Sequence, residues 1–340
     1  HDALPILIHV HHPVLVGQTA LYLGKKYNIP VAYTYHTRYE EYLHHFKLYE
    51  AMASGEYPVS RIARYGKEIL VPALITAFSN QCDLVFAPTS TMKDHLLEQG
   101  TKTRISVLPT GLDRVSFQYD EMLSSEIRNM YGNGCPYLFA TTARLEKEKN
   151  LDFLFQGTAR LRDILGQDFR LMVIGDGTER RHLEELARML GISRQIVFTG
   201  KIENTRVRHY LNAADAFLFA SKSETQGIVL LEAMAAGCPV AAVRASGVVD
   251  VVRQGINGYM TEEAPEAFAA AAARLVLERG VWSGMSEEAR KTAELYESGR
   301  IAALAAEQYG LMTGQKEDAG YEEHGKGMLV PSILRLFKAA

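Results

Sequence analysis

Cysteine is scarce and scattered. Cys82, Cys135 and Cys238 are the only three in 340 residues, and so few, so widely spaced, fit neither a disulfide framework nor a zinc site; a reducing cytoplasm is the expectation. No apolar run approaches the roughly 18 residues of a membrane-spanning helix, and no basic start with a small-residue cleavage site marks a signal peptide. Strong charge of either sign is also missing. Lys and Arg total 37 against 40 Asp and Glu, a formal net charge of −3, which gives no global reason to expect a nucleic-acid partner. Repeats of solenoid type and low-complexity linkers are absent as well.

What remains is the profile of a globular protein, 47% hydrophobic and 23% charged, long enough for two domains with separate cores. Apolar runs of strand length alternate with longer amphipathic stretches, the pattern of parallel sheets covered by helices on both faces. Strands are expected near Ile6 to Val10, Val31 to Tyr35, Asp83 to Ala87 and Ile105 to Leu108. Between them lie helices from Gly17 to Tyr27, from Arg38 to Asn80 (two), and from Ser90 to Gln99. The pattern weakens from Leu112 to Gly134, where a domain junction fits. A second series follows: strands Tyr137 to Thr142, Phe169 to Ile174, Gln195 to Phe198, Ala216 to Ala220 and Val240 to Val243, separated by helices. The fold class is α/β, with ligands expected at the carboxyl ends of the strands. The expected division is residues 1–130, 131–310, and a helical tail at 311–340 that packs back on the first domain.

The chemistry concentrates between Ser223 and Pro239. Gly227 lets the backbone pass close to a ligand, and the helix behind it offers unpaired N–H groups and a positive dipole end suited to a phosphate. Glu224 lies on the loop and Glu232 on the helix, seven residues between them, so one carboxylate can address each end of an elongated polar ligand, and sugar hydroxyls suit such acceptors. Acidic residues at a helix start also complement the dipole without any ligand. Gly237 and Pro239 terminate the helix. After the strand ending at Thr142 come Arg144 and Lys149, cations on a strand-end loop that can clamp a diphosphate without a metal, or stand as solvated loop charges. Glycines Gly175 and Gly200 follow two further strands and by themselves mark only turns.

The stretch from Ser223 to Pro239 closely resembles the glutamate, seven residues, glutamate motif of retaining glycosyltransferase family 4, and the likeness extends over essentially the whole chain. It implies the GT-B fold, two doubly wound Rossmann-like domains facing a cleft. It also implies transfer of a hexose from a nucleoside-diphosphate donor, UDP-linked, to a lipid or glycan acceptor with retained configuration and no metal cofactor. Residue by residue, it puts Arg144 and Lys149 on the donor phosphates, Glu224 on the donor sugar and Glu232 on the ribose. The backbone of Gln226, Gly227 and Ile228 falls to the sugar and diphosphate, with Gly175 beside them, and that of Lys201 and Ile202 to the base. His11 falls to the reacting carbon. His36, with Arg38 and Tyr39, is an acceptor-side candidate in a segment, Tyr35 to Tyr42, that looks like that of bacterial diacylglycerol glucosyltransferases. Histidines at strand ends could instead ligate a metal, but His9, His11 and His12 match no zinc spacing.

The segment Pro109 to Asp113 has Thr110 where the family has asparagine, and Ser246 to Asp250 ends in aspartate where glutamate is usual. The family's first domain carries a further segment, with a glycine-rich loop, before the strand equivalent to Ile6 to Val10, so the chain reads as truncated at its N-terminus. Basic and aromatic residues interleave from Arg38 to Leu74, including Lys47, Arg61, Arg64, Lys67, Tyr42, Phe46, Tyr49 and Tyr57. Such a surface suits peripheral association with the inner face of a membrane, and equally an ordinary pair of covering helices. An inactive nucleotide-sugar-binding module and a sugar epimerase or phosphorylase of the same shape are the rival readings.

Overall fold

The strand signals of the first part assemble into a four-stranded parallel sheet in the order β1-β2-β3-β4, from Ile8–Val10, Val31–Thr34, Leu84–Ala87 and Ile105–Val107. The structure is a computed structural model and describes residues 6–39 and 66–314. It divides into two compact units, one of residues up to Pro109 together with those from Ile301 on, the other Thr110–Arg300.

In the first unit the strands are apolar on both sides because both faces are covered. Helices α1 (Val16–Tyr27), α2 (Val71–Ser79) and α3 (Ser90–Glu98) connect them. Tyr33 and Phe78 meet edge to face at 5.0 Å in the main core. Helix α1 approaches β2 closely because Gly24 has no side chain; a Cβ there would stand 2.5 Å from a Val31 methyl. Thr89 caps α3, its side chain accepting the Met92 N–H. A smaller cluster of Ala32, Leu84 and Phe86 receives Tyr309 and Met312 from the helix at Ser298–Thr313. Of the two helices expected between Arg38 and Asn80, α2 and the π-helical turn Gly66–Leu70 before it are described. Most of the basic and aromatic stretch, residues 40–65, lies outside the described residues.

The second unit is a six-stranded parallel sheet. Its strands are β5 (Tyr137–Thr142), β6 (Phe169–Ile174), β7 (Ile196–Gly200), β8 (Ala216–Phe219), β9 (Val240–Val243) and β10 (Gly258–Thr261), in the order β10-β9-β8-β5-β6-β7. Alternate residues of β5 face different cores: Phe139 joins one cluster, Leu138 and Ala140 the other. Helices α5 (Leu151–Leu165), α6 (Arg180–Met189) and α10 (Pro265–Leu277) cover the first side. Helices α4 (Glu121–Gly132), α7 (Asn204–Asn212), α8 (Ile228–Ala235) and α11 (Arg279–Glu294) cover the second. The short α9 (Ser246–Val249) precedes β10, and α12 is the last helix, Ser298–Thr313.

Two elements were not read from the sequence. The weak stretch from Leu112 to Gly134 contains α4, started by Asp120, whose carboxylate accepts the Leu123 N–H, and stopped by Asn133 in the left-handed conformation. Its outer face carries Met122 and Met130, both strongly exposed, which blurs the apolar periodicity. The edge strand β10 is short and begins with Gly258, whose Cβ would lie 2.3 Å from the Val240 carbonyl oxygen. Buried Asn257 just before it donates to the Val251 carbonyl and the Thr292 hydroxyl and accepts the Arg253 N–H.

Candidate active site

The order of the second sheet reverses at β5, which has β8 on one side and β6 on the other. Ligands of doubly wound sheets lie at such a reversal, outside the carboxyl ends. A cavity of about 360 Å³ occupies that position, lined by Arg144, Lys149, Gly175, Lys201, Ile202 and Glu224 among others. Six of the residues singled out from the sequence thus converge, carried by the loops after β5, β6, β7 and β8.

The loop after β5 is held from three sides. Its backbone zips to the loop after β6: the Leu145 N–H donates to the Asp176 carbonyl at 3.1 Å and the Glu179 N–H to the Leu145 carbonyl at 2.9 Å. Glu146 accepts the Thr178 hydroxyl at 2.7 Å. Asn150, left-handed at φ 55°, donates to the Ala220 carbonyl at 3.2 Å and to Glu263 at 2.7 Å. Glu263 also pairs with Lys222 at 2.6 Å, and these two hydrogen bonds hold its carboxyl below the usual carboxylate range. This brace was not legible in the sequence; an asparagine suited to a left-handed turn before a helix was its only local signal.

Lys149 and Glu224 meet directly, Nζ to Oε1, at 2.6 Å. Their side chains are only 11% and 25% exposed, so the pair is shielded from solvent on most sides. Ser221, another lining residue, donates to the same Oε1 at 3.5 Å and contacts the Ser223 hydroxyl at 3.2 Å. Arg144 stands outside, 60% exposed, with Glu148 at 3.3 Å. Three cations, Arg144, Lys149 and Lys201, and one carboxylate, Glu224, therefore border a cavity that can accept an anion and a polyol together.

Helix α8 begins at Gly227, whose φ is 67°. A Cβ at that position would sit 2.8 Å from the Gly247 carbonyl oxygen, and Ser246 donates to the Glu224 carbonyl at 3.3 Å, so the segment from Ser246 to Asp250 backs the motif loop. Gln226 is 5% exposed. Its side chain is spent on Thr110, accepting that residue's N–H at 2.6 Å and donating to its carbonyl at 3.0 Å. Gln226, Gly227, Ile228 and Glu232 are not among the cavity-lining residues, although Val229 is. Glu232 lies half-buried one turn into α8, and burial pushes its carboxyl above the usual range. Asn204 and Val207 at the start of α7 line the cavity beside Ile202; nothing in their local sequence singled them out.

His11, His36, Arg38 and Tyr39 belong to the other unit. His11 Nδ1 and His36 Nε2 are 2.8 Å apart, with the rings stacked at 5.0 Å. Tyr39 stands edge-on to His12 at 5.6 Å, and Arg38 immediately precedes it in the chain. Among the described residues no group of three or more His, Cys, Asp or Glu side chains is arranged to hold a metal. No described helix is long and apolar enough to cross a membrane.

Two family models match the chain, Glycosyltransferase Family 4 over residues 5–115 and Glycosyl transferases group 1 over residues 126–293. The alpha-monoglucosyldiacylglycerol synthase of Streptococcus pneumoniae is 31% identical over 243 residues, 69% of this chain and 51% of that protein. The synthase of the same name from Acholeplasma laidlawii is 26% identical, covering 74% of this chain and 62% of its own. The sulfoquinovosyl transferase of Arabidopsis thaliana is 29% identical, over 75% and 46%. The chain thus spans about half to three fifths of the length of these relatives. Among solved structures, Anabaena HepE in complex with UDP-glucose has a TM-score of 0.72 at 19% identity, covering 90% of this chain and 79% of that one. The sucrose-phosphate synthase of Thermosynechococcus elongatus also scores 0.72 at 19% identity, over 92% and 74%. With a motif loop, strand-end cations and two parallel sheets all in agreement, the chain belongs to glycosyltransferase family 4, the group 1 glycosyl transferases of GT-B fold.

Proposed function

We propose that the chain transfers a hexose from a UDP-linked donor to a lipid or glycan acceptor with retention of configuration. The observation that carries this reading is the shielded Lys149–Glu224 pair beside Arg144 at the reversal of the second sheet. The bond between the sugar's anomeric carbon and the β-phosphate oxygen breaks, and a bond from that carbon to the acceptor oxygen forms on the same face. The acceptor proton passes to the departing phosphate, and UDP leaves. Charge grows on that phosphate, where Arg144, Lys149 and the start of α8 at Gly227 and Ile228 stabilise it. Glu224 then takes a sugar hydroxyl. Glu232, raised by burial, takes the ribose hydroxyls, donors that its half-buried carboxylate would favour. Lys201 and Ile202 border the base, and the resemblance assigns His11 to the reacting carbon, with His36, Arg38 and Tyr39 toward the acceptor. No metal enters this scheme.

Mass spectrometry of products from a panel of UDP-, GDP- and ADP-hexoses with diacylglycerol, glycolipid and free glycan acceptors tests the reading. A hexosylated acceptor with released UDP is the expected outcome. UDP binding without turnover on any acceptor would leave only the binding module. Arg144→Ala should lower turnover by about 100-fold, and near-wild-type turnover would remove Arg144 from the phosphate.

The lipid acceptor is favoured by the names of the monoglucosyldiacylglycerol synthases. A diacylglycerol substrate sits in a bilayer, so the chain should co-sediment with anionic vesicles at low salt and release as salt rises past the screening range. Absence of co-sedimentation even at low salt counts against peripheral association.

A further inference from the structure

The first unit contains a histidine that neither the motif nor the scheme above uses. His9, on β1, is half-buried and has both ring nitrogens engaged: Nε2 lies 2.6 Å from the Thr34 hydroxyl and Nδ1 lies 2.7 Å from the Tyr309 hydroxyl. Tyr309 arrives on α12, 300 residues away in the sequence. Its ring stands edge-on to both His9 and Phe86 at 5.7 Å, in the cluster where α12 covers the sheet. The His9 ring also packs against His11 at 4.4 Å, and His11 in turn pairs with His36 at 2.8 Å.

A neutral imidazole has one donor and one acceptor nitrogen, so one of the two hydroxyls donates to His9 and the other accepts from it. Either hydroxyl can play either part, but a phenol is the stronger donor and weaker acceptor of the two, which favours Tyr309 donating to Nδ1 and the Nε2–H donating to Thr34; together the two bonds hold the ring against flipping. Burial, with His11 and His36 nearby, pushes His9 down to about 4, so the ring stays neutral near pH 7. Burial raises the Tyr309 phenol, which therefore keeps its proton. The ring of His9 is thus a fixed wall for His11, and the Tyr309 hydroxyl is what fixes one side of it.

We propose that Tyr309 is a positioning residue for sugar transfer: from the last helix, through His9, it sets the orientation of the His11–His36 pair. The inference rests on the reading that His11 faces the reacting carbon. It predicts that Tyr309→Phe, which keeps the ring packed on Phe86, lowers kcat about tenfold, a modest misplacement penalty. The UDP affinity, carried by the second unit, should stay within about twofold, and the melting temperature should barely move. Thr34→Val, which removes the other hydroxyl, should lower kcat to a similar extent, and Thr34→Ser, which keeps it, should not.

The imidazole ¹⁵N spectrum of His9 reads the link without any acceptor. A single tautomer in the wild-type chain that becomes a mixture in Tyr309→Phe is the expected result. An unchanged His9 spectrum, or wild-type kcat in both Tyr309→Phe and Thr34→Val, overturns the proposal. Failure of the wild-type chain to transfer any sugar would remove the functional reading, and the His9 spectrum would still decide the link.

Discussion

Replacing Lys149 with methionine is expected to lower sugar transfer by roughly two to three orders of magnitude, the cost of one lost donor to a developing anion. The same change should destabilise the empty chain. Glu224 would keep a carboxylate 25% exposed without its cation, and removing one partner of a largely shielded pair costs more than the pair contributed. Glu224→Gln should show the converse, a stranded ammonium and a weakened sugar contact. The decisive variant is Lys149→Met combined with Glu224→Gln. With neither charge present, thermal stability should recover most of the loss of either single change, while transfer stays down. Stability losses that simply add would mean the pair is uncoupled. Wild-type turnover in Lys149→Met would remove Lys149 from the phosphate.

Gly175→Ala is expected to damage the second unit more than any exposed substitution. At φ 136° the position is strained for any side chain, and a Cβ would stand 2.0 Å from the Ala143 carbonyl oxygen. The obstacle is backbone of the loop that carries Arg144, so relief requires moving the site itself. A loss of about 3 kcal/mol follows from strain plus overpacking, or roughly 6 to 12 °C in melting temperature for a unit of this size. UDP affinity should fall by at least about tenfold, since a small displacement of clamping groups is costly. Gly255→Ala is the control: φ is likewise positive there, at 73°, but nothing lies within 4 Å of the added carbon. It should cost about 1 kcal/mol and leave UDP binding unchanged. Equal UDP affinity in both variants would mean that Gly175 does not hold the cavity.

The strands nearest the site were legible almost to the residue. Tyr137 to Thr142 and Phe169 to Ile174 were expected and form β5 and β6 with those limits, because a parallel strand covered on both faces must be a continuous apolar run. Helix α4 and strand β10 were not, since one shows solvent an apolar outer edge and the other is a short glycine-led edge strand. The motif loop was legible through its glycine and glutamates. The use of the Gln226 side chain was not: its amide supplies two hydrogen bonds to the backbone of Thr110, a contact that only the fold brings about.

Sequence by itself determined the two parallel α/β units and the strand ends that carry Arg144, Lys149, Gly175, Lys201 and Glu224, because burial and turn chemistry leave local patterns. Tertiary structure alone decided which of these residues meet. Lys149 and Glu224 lie 75 positions apart, Gln226 and Thr110 116, and His9 and Tyr309 300. Each pairing depends on strand order and on where the chain returns, and no local periodicity records either.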